Sequence, residues 1–217
     1  MEHIVQEYIE SHLPKRPEKF EKLEAYALEH HVPIMEPYGM EVLLQWLRVQ
    51  KPKRILEIGT AIGYSSSRIV DTLGDVEIVT IERHEGRYNE ALQNIKELGY
   101  ENNITCIYGD ALEVGDEVKK HGMFDALFID AAKGQYKRFM DLYSPLVVPG
   151  GIIYSDNILY KGYVATDETD DLTRRQRALI RKIQGYNEWL CQHDDYQTVI
   201  LPVGDGIAIS VKNSDKK

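Results

Sequence analysis

Short runs of β-branched and aromatic residues alternate with longer helical patterns from Arg54 to the end of the chain. This alternation is typical of a parallel sheet whose connecting helices cover it. It predicts an α/β fold with helices on both faces of one sheet. The predicted strands are Arg54–Ile58, Glu77–Ile81, Asn103–Tyr108, Phe124–Ile129, Gly151–Ser155, Gln197–Leu201 and Gly206–Val211.

The last two predicted strands are separated only by Pro202–Asp205. This segment is too short for a crossover helix, so the two strands should pair antiparallel as a hairpin. Seven strands ending in a hairpin predict a doubly wound, Rossmann-like sheet that is mostly parallel and has an antiparallel C-terminal edge.

Residues 1–50 carry helical patterns and are predicted to form an N-terminal extension packed on a core of residues 51–217. One helix opens at Pro17, because proline is tolerated in the first turn of a helix, and another runs from Tyr38 to Val49. Residues 31–37 contain two prolines and are predicted to form a loop.

The composition limits the classes of protein to which the chain can belong. It has 217 residues, of which 43% are hydrophobic and 28% charged, as expected for a folded globular protein. No apolar run approaches the roughly 20 residues that cross a bilayer. Residues 1–10 lack the pattern of a secretory signal, so we expect a cytoplasmic protein. A net charge of −9 argues against indiscriminate nucleic-acid binding but permits a local basic face.

A glycine-bearing turn follows the first predicted strand. Gly59 and Gly63 allow the backbone to approach a ligand at the start of the next helix, which Ser65 opens. Their spacing differs from the Gly-x-Gly-x-x-Gly of dinucleotide-binding proteins, which disfavours a nicotinamide dehydrogenase. The acidic Glu57 would repel a phosphate but suits a ligand with an amino group and a sulfonium centre. S-adenosylmethionine has both.

Acidic residues also end the next two predicted strands. The Glu82 carboxylate can accept hydrogen bonds from both hydroxyls of a ribose, and Asp110 with Ala111 can recognise an adenine edge. Alternatively, Glu82 is a surface carboxylate and Asp110 only caps the following helix. The carboxyl ends of neighbouring parallel strands form the rim where open α/β sheets bind ligands, which favours the functional interpretation.

Hard oxygen ligands follow two more predicted strands. Asp130, Asp156 and Asn157 should converge on the same rim, and their oxygens suit magnesium or another divalent cation better than zinc. A cation there would lower the pKa of a substrate hydroxyl, as methyl transfer to oxygen requires. Lys133 is a candidate general base, or else a surface lysine paired with a carboxylate.

Together these motifs resemble the class I cation-dependent O-methyltransferases, which include catechol and caffeoyl-coenzyme A methyltransferases. The resemblance covers about residues 33–212. It implies that Lys133 is the base, that the protein is a homodimer, and that Asp130, Asp156 and Asn157 bind magnesium. The residues assigned to the cofactor by motif and resemblance are Met35, Glu57, Gly59, Gly63, Ser65, Glu82, Asp110, Ala111 and Asp130.

Within the family, the chain is most similar to bacterial enzymes that methylate 5-hydroxyuridine at the wobble position of tRNA. A basic segment, Leu172–Lys182, adds physical support, and Tyr160 and Tyr163 are candidates to stack on a splayed base. Alternatively, this basic segment is only the solvated face of a helix that follows the acidic residues Asp167, Glu168, Asp170 and Asp171. The candidate contacts to a tRNA anticodon loop are Lys137, Arg138, Lys161, Arg174, Arg175, Arg177 and Arg181.

Two other functions remain open on sequence grounds. The same chemistry on a small catechol-like or hydroxycinnamoyl acceptor would need no phosphate-binding rim. A noncatalytic nucleotide-sensing module would use the rim to bind a metabolite without turning it over.

Overall fold

The structure is a computed structural model that describes residues 2–166 and 171–214. Within these residues, no helix combines the length and the apolar character needed to cross a membrane. The helices are α1 (Glu2–Glu10), α2 (Glu18–Glu29), α3 (Pro37–Gln50), α4 (Tyr64–Leu73), α5 (Glu85–Glu97), α6 (Gly115–Lys119), α7 (Tyr136–Tyr143) and α8 (Arg174–Cys191). The strands are β1 (Arg54–Ile58), β2 (Glu77–Glu82), β3 (Ile104–Tyr108), β4 (Phe124–Ile129), β5 (Val147–Asp156), β6 (Tyr196–Leu201) and β7 (Ile207–Lys212). Short 3₁₀ turns occupy Lys133–Gln135, Ser144–Leu146 and Tyr163–Ala165.

The seven strands form one sheet in the order β3-β2-β1-β4-β5-β7-β6. The first five pair in parallel, whereas β7 runs antiparallel between β5 and β6. The predicted α/β sheet with its C-terminal hairpin is therefore confirmed. Strand order reverses between β1 and β4, which leaves a crevice at their carboxyl ends.

The predicted elements agree with the observed ones except at some ends. Strand β5 begins at Val147, earlier than the predicted Gly151, because Pro149 and Gly150 lie inside the strand at its irregular start. The register of β5 with β4 shifts between Phe124 and Ala126. An irregularity of this kind accommodates proline and glycine, which a regular central strand excludes. Helix α2 begins at Glu18, one position after the predicted start at Pro17, which is its N-cap residue.

Two hydrophobic layers cover the sheet. One layer joins the face of β1 and β2 to α2, α3 and α4, with Phe20, Leu44 and Ile69 fully buried. The other packs α7 and α8 on the opposite face, where Met140 and Leu190 are fully buried. Helices α2 and α3 thus share a core with the sheet, so residues 31–36 between them reach its carboxyl edge.

Candidate active site

A cavity of about 360 Å³ opens at the carboxyl ends of the parallel strands, where strand order reverses. An adjoining recess is lined by Met35 and Ser65 and shares Gly59 and Asp130 with the cavity. Most of the predicted site residues therefore surround one space. Those that line the main cavity are Gly59, Glu82, Asp110, Ala111, Asp130, Lys133 and Asn157.

The floor of the cavity depends on Gly59. Its φ of +108° lies in a region that L side chains rarely adopt. A Cβ atom at this position would lie 1.9 Å from the carbonyl oxygen of Asp130. The loops after β1 and β4 can therefore touch only because residue 59 has no side chain.

Glu57 lies behind the cavity wall. It is fully buried, and its carboxylate accepts hydrogen bonds from the hydroxyls of Ser65, Ser66 and Thr80, the last at 2.5 Å. Burial raises the pKa of Glu57, and the three hydroxyl donors oppose that rise. Glu57 is not among the residues that line the cavity or the recess, and its predicted contact with the cofactor stays a prediction. Ser65, which lines the recess, connects Glu57 to the site.

Gly63 also lies away from the cavity walls. It precedes α4 with a φ of +79°, and a Cβ there would lie 3.3 Å from Cγ1 of Ile95 on α5. Its role in the structure is to start α4 and to permit close helix packing, whereas the sequence interpretation placed it at the cofactor.

The carboxylates of Glu82 and Asp110 enter the cavity from β2 and β3. Glu82 is 7% exposed and accepts hydrogen bonds from the backbone N–H groups of Ala61 (2.9 Å) and His84 (2.8 Å). Asp110 accepts a hydrogen bond from the N–H of Leu112 at 2.9 Å, so it stabilises its own turn while it lines the cavity. Both side chains are held in fixed positions with part of their acceptor capacity left for a ligand.

Asp130 and Asp156 follow paired positions on neighbouring strands, because Ile129 of β4 is in register with Ser155 of β5. Burial raises the pKa of both carboxyls, and the charge of Asp130 raises that of Asp156 further. The positive charge of the Lys133 ammonium partly offsets this rise for both carboxyls, whose pKa values remain above the ordinary value. Two carboxylates in such surroundings favour the approach of a cation.

Asn157 completes the set of oxygen donors. It lines the cavity, and its Nδ2 donates a hydrogen bond to Oδ2 of Asp156 at 3.1 Å. Its φ of +55° is left-handed, a conformation that asparagine adopts more readily than most residues. Two carboxylates and an amide fit a hard cation such as Mg²⁺. In the part of the chain that the structure describes, no group of three or more His, Cys, Asp or Glu side chains that could hold a metal ion is present.

Lys133 stands beside these donors at the start of its 3₁₀ turn. Its Nζ lies 3.7 Å from Oδ2 of Asp205 and 5.6 Å from the ring centroid of Tyr160. Lys133 lines the cavity, as the proposed general base requires. It also has a carboxylate partner, as in the alternative interpretation of a lysine in an ion pair.

Asp205 was not identified from the sequence. It lies in the turn between β6 and β7, and its carboxylate also accepts a hydrogen bond from the N–H of Lys161. Only the antiparallel pairing of β7 with β5 brings this turn to the active-site rim, so its position beside Lys133 carried no local signal. Other residues that line the cavity and were not identified from the sequence include Pro33, Ala61, Arg83, Arg87, Leu112 and Phe139.

None of the predicted RNA-contacting residues lines the cavity, but the helix that carries four of them packs beside the loop that carries Lys133. Helix α8 packs against the turns at Lys133–Gln135 and Tyr163–Ala165. A Cβ on Gly134 would lie 3.6 Å from Nζ of Lys182, so the basic side of α8 borders the active-site loop. Arg177 is half-buried. The exposed cations of the set are Lys137, Arg138, Lys161, Arg174, Arg175 and Arg181. Of the acidic segment 167–171, residues 167–170 lie outside the described residues.

Comparison with known proteins is consistent with this geometry. A family model described as O-methyltransferase matches residues 11–213. A caffeoyl-CoA O-methyltransferase from Stellaria longipes is 31% identical over 205 residues, covering 89% of this chain and 83% of that protein. A flavonoid 3',5'-methyltransferase from Vitis vinifera is 28% identical over 208 residues, covering 90% and 87%.

A solved structure from Staphylococcus aureus, described as a candidate caffeoyl-CoA O-methyltransferase, is similar over almost the whole chain. Its TM-score is 0.85, with 36% sequence identity and 98% of each chain covered. The similarity therefore includes the N-terminal helices as well as the sheet.

Proposed function

The chain belongs to the O-methyltransferase family as an S-adenosylmethionine-dependent enzyme of the caffeoyl-CoA O-methyltransferase type, and on this basis we propose its metal and its acceptor. The proposed reaction moves the methyl group of S-adenosylmethionine to a hydroxyl oxygen beside a divalent cation, for which we propose Mg²⁺. The proposed acceptor is 5-hydroxyuridine at the wobble position of tRNA, giving 5-methoxyuridine. The observation that carries the metal proposal is that Asp130, Asn157 and Lys133 line one cavity, while the Asp156 carboxylate, which is not among the lining residues, lies behind Asn157 and is hydrogen-bonded to it.

The cavity divides into two regions that match the two ends of the methyl donor. Glu82 supplies a carboxylate for the ribose hydroxyls, and Asp110 with Ala111 lies where the adenine would bind. Met35 and Ser65 line the recess at the other end, next to Gly59 and Asp130. The amino-acid part of the donor is proposed to lie on the side of the cavity that faces this recess, where Asp130 would offer an acceptor for its ammonium group.

Asp130, Asp156 and Asn157 would hold the cation. When bound, it would lower the pKa of an acceptor hydroxyl and so favour the oxyanion nucleophile near neutral pH. The chain's own contribution is to hold these oxygen donors at the ends of two paired strands, beside the donor site. This arrangement brings the acceptor oxygen close to the methyl carbon, an effect of proximity and orientation.

Lys133 is the proposed acceptor of the hydroxyl proton at Nζ. In the overall step, the acceptor O–H bond breaks and a new O–CH₃ bond forms as the donor's S–CH₃ bond breaks. The products are S-adenosylhomocysteine, the methyl ether and one proton. Nζ must be an uncharged amine to take this proton, and the positive charge of a cation held by Asp130, Asp156 and Asn157 would favour that form. After the transfer, the new ammonium would form an ion pair with the carboxylate of Asp205, 3.7 Å from Nζ.

The tRNA acceptor is supported by the positive charge at the start of α8. Arg174 and Arg175 begin α8, whose first turn contains no acidic residue. Cations at a helix N-terminus oppose the helix dipole, so helix stability does not explain them. The helix is instead started by a capping box between Thr173 and Gln176. Phosphate contacts from this end of α8 would hold an anticodon loop while one nucleotide is splayed into the cavity.

The base platform proposed for that nucleotide is Tyr160. Its ring lies next to Nζ of Lys133 and 6.3 Å from the ring of Tyr163, centroid to centroid. A pyrimidine stacked on this ring would bring its 5-hydroxyl toward the proposed base. Stacking on an aromatic side chain is the usual way in which proteins hold an unstacked RNA base.

A small catechol-like or hydroxycinnamoyl acceptor is the second candidate, favoured by the names of the Stellaria longipes and Vitis vinifera relatives. An assay of purified protein separates the two. It compares an anticodon stem-loop containing 5-hydroxyuridine, the same stem-loop with uridine, caffeoyl-CoA and a simple catechol, each with and without Mg²⁺. Methylation of the hydroxyuridine stem-loop alone supports the tRNA proposal, whereas preferential methylation of a small acceptor contradicts it.

A homodimer and a cytoplasmic location remain parts of the proposal. Helix α1 exposes Ile4, Val5 and Tyr8, which supports burial of this face in an assembly. Light scattering of the purified protein tests the homodimer directly.

A further inference from the structure

A buried tyrosine connects the two loops that carry the proposed metal ligands. Tyr136 is the first residue of α7, directly after the turn that carries Lys133, and it is 1% exposed. Its hydroxyl donates a hydrogen bond to the backbone carbonyl oxygen of Asp156 at 2.9 Å. The loop after β4 is thus tied to the end of β5 by one hydrogen bond from a residue that cannot reach solvent.

The hydrogen bond lies in the interior of the protein. Tyr136 is 1% exposed and Asp156 is 3% exposed, so water does not compete for this contact. Leaving the Asp156 carbonyl without this donor in a buried setting would be unfavourable.

The bonded carbonyl belongs to the peptide group that joins Asp156 to Asn157. Asn157 has the left-handed φ of +55°, and its backbone N–H and its Nδ2 both interact with the Asp156 carboxylate. Fixing this peptide plane therefore fixes the direction of two of the three proposed ligands. We infer that Tyr136 is a positioning residue that orients Asp156 and Asn157 for the cation, an inference that depends on the proposed metal site.

The structure offers a closely matched control in Tyr186 on α8. Its ring centroid lies 5.4 Å from that of Tyr136 in an edge-to-face arrangement, and it is 3% exposed. Its hydroxyl is 2.7 Å from the hydroxyl of Ser155, the residue before Asp156 on β5. Removing the Tyr186 hydroxyl disturbs the same buried cluster but leaves the hydrogen bond to the Asp156 carbonyl in place.

The test is titration of the wild type, Tyr136→Phe and Tyr186→Phe with Mn²⁺, followed by electron paramagnetic resonance. Loss of a residue that orients metal ligands typically weakens metal binding about 10- to 100-fold, and we expect Tyr136→Phe to raise the Kd for Mn²⁺ by at least about tenfold. Tyr186→Phe should remain within about twofold of the wild type, because its hydroxyl does not touch a ligand-bearing peptide. Affinity for S-adenosylhomocysteine without metal, measured by calorimetry, should be the same in all three proteins and reports that the fold is intact.

Three kinds of result would overturn the inference, and they are distinguishable. If Tyr136→Phe binds Mn²⁺ as the wild type does, or if both variants weaken binding equally, Tyr136 has only a packing role while the metal site stands. If the wild type itself fails to bind Mn²⁺ although it binds S-adenosylhomocysteine, the proposed metal site fails and the inference fails with it. Should Tyr136→Phe lose S-adenosylhomocysteine affinity as well, the residue supports the whole site instead of orienting the metal ligands.

Discussion

Gly59 and Asp130 approach so closely that a Cβ atom on residue 59 would overlap the carbonyl oxygen of Asp130, at a separation of 1.9 Å. This contact closes the floor of the cavity between the ends of β1 and β4. It also brings Asp130, a proposed metal ligand, to the glycine turn proposed to hold the methyl donor.

We therefore expect Gly59→Ala to be severely destabilising. The substitution combines a strained backbone with a clash against main-chain atoms, and a loss of about 3 kcal/mol or more in the free energy of unfolding is expected. Gly74→Ala is the matched control, because Gly74 also has a positive φ of +71° but has nothing within 4 Å of its would-be Cβ. The control should lose about 1–2 kcal/mol from backbone strain alone. Urea unfolding measures both, and equal losses would show that the contact with Asp130 is unimportant.

Replacing Glu82 by Gln should weaken donor binding. The amide keeps a single acceptor oxygen, whereas the carboxylate uses its two oxygens for the N–H groups of Ala61 and His84 and has further capacity for a ribose. Hydrogen bonds to charged groups contribute about 1.5–3 kcal/mol, so the Kd for S-adenosylhomocysteine should rise by about 10- to 100-fold. Glu85→Gln, an exposed change in the first turn of α5, is the control. Calorimetry without added metal gives both values, and an unchanged Kd for Glu82→Gln would remove Glu82 from the donor site.

Lys133→Met tests the proposed base. General base catalysis typically contributes about 10²- to 10⁴-fold, so the single-turnover rate at saturating acceptor should fall by that factor while S-adenosylhomocysteine affinity stays constant. Lys96→Met removes an exposed ammonium in the last turn of α5 that does not line the cavity, and it should change that rate little. A Lys133→Met rate within about threefold of the wild type would leave Lys133 with only its ion pair to Asp205.

Reversal of charge on α8 tests the tRNA interface. The triple variant Arg174→Glu, Arg175→Glu and Arg181→Glu should bind the anticodon stem-loop at least about tenfold more weakly and with a shallower dependence on salt, because fewer counterions are released. Turnover of a small acceptor should not change. The control reverses three exposed lysines far from the cavity, Lys22, Lys96 and Lys120. Equal weakening by the two triple variants would indicate a general charge effect, not a specific face.

The sequence predicted the strand ends that form the rim because apolar runs there stop at glycine or acidic residues. Strands β1 and β4 have the predicted bounds, and this alone brings Gly59 and Asp130 to one edge. The direction of the Glu57 side chain could not be predicted, because a residue near the rim can point either into the cavity or into the layer beneath it. Hydroxyls from Ser66 on α4 and Thr80 on β2 decide its direction, and they come together only in the folded sheet.

Tyr136 and Asp205 were missed for a related reason. Tyr136 begins a helix and has the pattern of a core residue, and nothing in its neighbourhood signals a hydrogen bond to the far end of β5. Asp205 lies in a hairpin turn, where an acidic residue is common. Tertiary contacts with Lys133 and Lys161 are what make it part of the site.

The most direct measurement is transfer of a labelled methyl group from S-adenosylmethionine to the better of the tested hydroxyl acceptors, before and after removal of divalent cations with a chelator. If Asp130, Asp156 and Asn157 hold a cation that activates the acceptor, transfer disappears with the chelator and returns when Mg²⁺ is added in excess. Transfer that continues undiminished in metal-free protein would contradict the account.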